Sequence, residues 1–152
     1  MDYIVFFRRM TEAQRDELNA PGGGWSSPLG SAYLDCEPDR GDVVPSYAGA
    51  IEFDLFEKAA FVRDCSDKNE LWRRMQNRGP SWTCEPTVRA FTDFPRSMSK
   101  GDVVFEPESG EWSYVSSGFT TLEDEAFIEF LRAKLTTAEM GNADVARGVG
   151  RN

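Results

Sequence analysis

The sequence predicts an α+β domain, a mainly antiparallel sheet with two or three helices packed on one face. Three observations lead there. Short β-branched and aromatic runs recur along the chain, capping-box tetrads open helical stretches between them, and a turn-rich tetrad joins two runs as a hairpin. At 152 residues the chain has room for one such domain with a sizeable core.

Taken in order, Tyr3 to Phe7 reads as a buried strand, being apolar throughout. Thr11 with Gln14 has capping-box form and predicts a helix ending near Asn19, stopped by Pro21 and Gly22 to Gly24. Trp25 to Ser46 mixes Gly, Pro, Ser and Asp and reads as a long loop, with at most a short element at Ala32 to Leu34. Tyr47 to Phe56 reads as a strand, because Ile51, Phe53 and Leu55 alternate with Glu52 and Asp54. Ala59 to Val62 extends it or starts another.

Asp67 with Glu70 caps a helix over 68–77, with Leu71, Trp72 and Met75 on one side. Thr87 to Phe91 is a candidate strand. Asp102 to Glu106 and Trp112 to Ser116 flank Pro107-Glu108-Ser109-Gly110 and predict a hairpin. A final amphipathic helix is expected over 122–135, docking through Leu122, Ala126, Phe127, Phe130 and Leu131. The domain is thus assigned to residues 1–135. Residues 136–152 lack periodicity and predict a disordered tail.

Composition narrows the chemistry. The chain has no histidine, which removes the commonest general base, nucleophile partner and imidazole ligand. Cys36, Cys65 and Cys84 are widely spaced, form no C-x-x-C pair and are expected as free thiols, with no metal or other cofactor. Carboxylate-only catalysis is the enzymatic alternative, with Asp102 plus Glu106 or Glu111 as its candidates. No apolar run approaches the ~20 residues of a membrane span, and the N-terminus lacks the form of a signal peptide. A cytoplasmic protein is the resulting expectation.

The net charge of −9 is unevenly spread. Residues 101–131 hold eight acidic side chains and no Lys or Arg, whereas 63–100 hold eight basic residues against five acidic ones. The acidic set is Asp102, Glu106, Glu108, Glu111, Glu123, Asp124, Glu125 and Glu129. All of these but Asp102 are candidates for one negative patch, built from the hairpin and the start of the last helix. Such a patch steers onto a basic surface of another macromolecule. The overall sign argues against direct nucleic-acid binding. The bland alternative is a solvated face, in which Glu123, Asp124 and Glu125 simply favour a helix N-terminus.

Phe94-Pro95-Arg96-Ser97-Met98-Ser99-Lys100-Gly101-Asp102-Val103-Val104, followed by Trp112 to Val115 and Ser117-Gly118-Phe119, resembles the YodL-like module of plasmids, phages and polyvalent mobile-element proteins. Leu71-Trp72-Arg73-Arg74-Met75-Gln76-Asn77 is similar to a helix usually found upstream in that family, and Ser116-Ser117 departs from its pattern. The resemblance implies a small domain of a mobile element, acting around conjugation or against host defence, with no established enzymatic activity.

On their own chemistry, Arg96, Ser97, Ser99, Gly101, Asp102, Gly118 and Phe119 admit two readings. They form a folding staple that aims the hairpin, with Gly118 at positive φ before Phe119 enters the core. Or Arg96, Ser97 and Ser99 form an anion-binding corner. The leading functional expectation is a counter-defence inhibitor of the anti-CRISPR or anti-restriction type, its partner a host protein or nucleoprotein complex. An accessory protein whose tryptophans (Trp25, Trp72, Trp82, Trp112) serve core and homodimer is the third possibility, so the state is monomer or homodimer.

Overall fold

The structure is a computed structural model that describes residues 1–38 and 44–140. Strand β1 (Tyr3–Arg8) is buried along its whole length and lies inside a six-stranded antiparallel sheet. Its neighbours are β2 (Phe56–Val62) and β4 (Val103–Glu106), with β3 (Val88–Ala90) beyond β2. Strands β5 (Glu111–Val115) and β6 (Phe119–Thr121) follow outside β4, giving the order β3-β2-β1-β4-β5-β6.

The continuous apolar run of β1 has a direct cause: both sheet faces are covered. Ile4 and Phe6 point to a layer made by α1 (Glu12–Asn19), α2 (Pro28–Asp35), α3 (Ala48–Phe53) and α5 (Glu125–Arg132), through Leu18, Leu29, Ala50 and Phe127. Tyr3, Val5 and Phe7 point the other way, against α4 (Lys68–Arg74) and a 3-10 turn at Trp82–Cys84, through Leu71, Met75 and Trp82. The α+β class and antiparallel sheet stand as expected. The helices are more numerous than two or three and flank both faces.

Three segments depart from the sequence reading. The supposed loop 25–46 contains α2, which Ser27 caps by accepting from Gly30 N, with Pro28 in the first turn. The supposed strand 47–56 is α3. A Cβ on Gly49 would lie 2.3 Å from the Ala32 Cβ, so the two helices pack at a distance only glycine permits. Asp54, in the left-handed region at φ 53°, ends α3 and redirects the chain into β2. The alternation of Ile51, Phe53 and Leu55 therefore belongs to a short helix and its exit.

Helix α5 starts at Glu125, capped by Asp124, whose side chain accepts from Phe127 N, and not at Leu122. The preceding residues form β6, unrecognised because it is only three residues long. Ala126 is exposed and Ile128 takes its expected place in the core. The boundary at residue 135 also moves. Thr136 and Glu139 cap one another through backbone N–H groups, Glu139 pairs with Lys58 at 2.8 Å, and Met140 packs on the core. The rest of the expected tail, 141–152, lies outside the described residues.

Candidate functional site

The motif segment is built into the fold through Asp102, which is fully buried just before β4. Arg96 forks onto it, with Nη2 donating to Oδ1 at 2.7 Å and Nη1 to Oδ2 at 2.8 Å. Backbone N–H groups of Arg8 and Ser99 donate to the same two oxygens at 3.0 and 2.8 Å. The remaining Arg96 donors reach the carbonyls of Arg8 and Ser97 and the Ser99 hydroxyl, and its guanidinium lies 4.2 Å from the Phe7 ring centroid. Burial pushes the Asp102 carboxyl up, while Arg96 and the backbone donors pull against it.

This is the staple. The anion in the corner is the chain's own carboxylate. Ser97 accepts from Asn77 N, and Asn77 Nδ2 donates to the Pro95 carbonyl, so the motif is also tied to the residues just after α4. Gly101, at φ +93°, supplies the positive-φ turn. Gly118 does not: its φ is not positive, and a Cβ there would meet nothing within 4 Å. Phe119 is half-buried at the edge of the second core layer rather than deep within it.

A cleft of about 420 Å³ opens beside the staple, lined by Phe7, Arg8, Arg9, Met10, Arg15, Leu18, Asn19, Trp25, Tyr33, Glu57, Phe94 and Arg96. Its arginines come from the end of β1, from α1 and from the motif. Arg8 is paired with Glu37 and stacked on Tyr33, whose ring lies near Trp25. Arg9 pairs with Glu57 and stands over Phe94. The Arg15 guanidinium has no partner among the described residues. Trp25 and Phe94 are 53% and 60% exposed, against 1% for Trp82. Sequence reasoning missed this site, because its parts are scattered over residues 7–96. The doublet Arg8-Arg9 at the end of an apolar strand was the available signal.

The predicted acidic residues lie mostly at the opposite end of the sheet. Glu106 stands directly across from Glu111, Glu108 is in the turn between them, and Leu122 N bonds to Trp112 O, which sets Glu123 at the same end. Asp2, Glu108 and Glu139 line a hollow of about 400 Å³ there. The Tyr3 phenol is pushed up to about 12, first by burial and then by negative neighbours that include Glu106, Asp67 and Glu111. Some of the set have structural work: Asp124 caps α5, Glu111 pairs with Lys68 and Glu129 with Arg132. Glu125 occupies the first turn of α5.

Asp102 does not converge with Glu106 or Glu111, the partners considered for it in a carboxylate mechanism. Asp102 precedes β4 and Glu106 ends it, roughly 13 Å apart at about 3.3 Å per residue. Both Asp102 oxygens are engaged inside the protein, so it cannot exchange protons with a substrate. Burial pushes the Cys36 thiol up to about 12 and raises that of Cys65, which makes both poor nucleophiles. Among the described residues no group of three or more Cys, Asp or Glu side chains is placed to hold a metal ion, and no helix is long and apolar enough to cross a membrane. A scan against protein-family models finds no match. The curated proteins and the solved structures likewise yield none.

Proposed function

We propose that this chain is a non-enzymatic binding protein of a mobile genetic element, one that inhibits a host defence by occluding a nucleic-acid-handling complex with its acidic end. The observation that carries this reading is the pairing of Glu106 across from Glu111, with Glu108 in the turn and Glu123 alongside. Like charges directly opposite on a sheet destabilise it. Lys68 offsets part of this at Glu111, but Glu108 and Glu123 are exposed and pair with nothing among the described residues, so folding does not explain them, whereas docking onto a basic groove does. The motif resemblance at residues 94–119 supplies the mobile-element setting, and the cytoplasm is where such an inhibitor acts.

The test is protection. Cells carrying a defined CRISPR or restriction system are challenged with phage, with and without this protein. The wild-type chain is expected to raise plaquing by about tenfold or more, and Glu108→Lys with Glu123→Lys to abolish the effect while the fold persists. No protection in either class of system, or full protection by the double variant, overturns the proposal.

A further inference from the structure

The arginine-lined cleft is separate from the acidic end and is not used by the function just proposed. Four residues are exposed large hydrophobics among those described, Met1, Trp25, Val44 and Phe94, and two of them line this one cleft. Phe94 sits beside a cation directly, and Trp25 leans on a tyrosine that does. Arg9 stands 5.7 Å from the Phe94 centroid, Arg8 4.4 Å from that of Tyr33, and Trp25 leans on Tyr33 at 6.0 Å. Leaving an indole and a phenyl in water beside arginines does nothing for the core. It does make a platform for a flat, electron-rich ring that also carries negative charge.

The arginines divide by what holds them. Arg8 and Arg96 are held by Glu37 and Asp102, so they form a fixed floor. Arg9 is shared with Glu57. Arg15, on the exposed side of α1, is left to meet an incoming anion. The volume of about 420 Å³ suits a small ligand rather than a folded partner.

We propose that this cleft binds a nucleotide, with its base stacked on Trp25 and its phosphate on Arg15 and Arg9. Base–aromatic stacking together with an arginine–phosphate contact recognises this class of ligand whatever the base. The phosphate can belong to a free mononucleotide or to the end of a single strand. The net charge of −9 weighs against a long polyanion. It does not bar a single nucleotide, because charges farther off than about 8 Å are screened at physiological salt.

The test is calorimetric titration of the full chain with AMP, UMP, adenosine, inorganic phosphate and a terminally phosphorylated thymidine oligonucleotide. Saturable binding of AMP and UMP is expected, with adenosine and phosphate each at least about tenfold weaker. Arg15→Ala and Trp25→Ala are each expected to weaken it by about tenfold or more without changing Tm, since both side chains are exposed. Glu123→Lys, at the other end of the sheet, leaves binding as it was. An oligonucleotide that binds about tenfold tighter than AMP assigns the phosphate to a strand end; equal or weaker binding assigns it to a free nucleotide. Three results overturn the proposal: no saturable binding up to about 5 mM, phosphate binding as tightly as AMP, or affinity unchanged by either substitution. None of these bears on phage protection, so the two proposals fail independently.

Discussion

At the end of the sheet where β1 finishes, charge is buried, paired and bonded to backbone. At the end where β4 turns into β5, acidic side chains predominate, Glu106 and Glu111 stand opposite each other, and Glu108 and Glu123 are exposed. Asp102 shows the first condition, with four donors on one carboxylate and no exposure. Glu108 and Glu123 show the second. A buried charge is tolerable only with a complete set of partners, so its neighbours are dictated by folding. An exposed charge contributes little to stability and is free to be selected for what it meets. The cleft lies where these regimes touch, its floor held by folding and its rim of Trp25, Phe94 and Arg15 left to solvent.

The largest effect expected from this contrast is at Arg96. Replacing it with Ala strands the Asp102 carboxylate and should cost about 3–5 kcal/mol, read as a fall in urea midpoint at constant slope. A loss under about 1 kcal/mol would erase the distinction between the ends, since surface pairs contribute that much.

Next comes the turn that places Asp102. Gly101→Val forces a β-branched residue to φ +93° and should cost about 1–3 kcal/mol. Gly118→Val meets open space at an ordinary φ and should stay within about 0.5 kcal/mol. Equal losses would mean that the turn at Gly101 does no more for the fold than a surface loop.

The smallest effects divide the acidic end itself. Asp124→Ala removes the α5 cap and should lower stability by about 1 kcal/mol. Glu123→Ala, one residue earlier and exposed, should change it by less than about 0.5 kcal/mol. Thermal melts of both variants decide the matter. A Glu123 loss as large as that of Asp124 would give the acidic end a folding role and weaken the case for docking.

Much of the fold was legible because local rules acted alone. The run Tyr3 to Phe7, the Thr11–Gln14 box, the 107–110 turn and the Asp67 cap each write their element into neighbouring residues. Helix α2 was legible in principle from Ser27-Pro28, and the composition of its surroundings hid it. In α3 a period-2 pattern was overridden by contact: Gly49 against Ala32 is a long-range fact that no local window contains. The acidic block was readable from composition, because Glu106, Glu108 and Glu111 share one hairpin and Glu123 follows in the next strand connection.

By itself, then, the sequence determined the class of the fold, the hairpin, the capped helices and the uneven charge, all of which depend on residues a few positions apart. Tertiary structure alone decided that Arg96 reaches Asp102 and Arg8, which face of each helix is covered, and that Arg9, Arg15, Trp25 and Phe94 share one cleft. Those are meetings of residues up to 88 positions apart. The antiparallel sheet creates them by bringing distant segments to one end, and burial, which a linear pattern does not record, holds the floor on which the exposed rim stands.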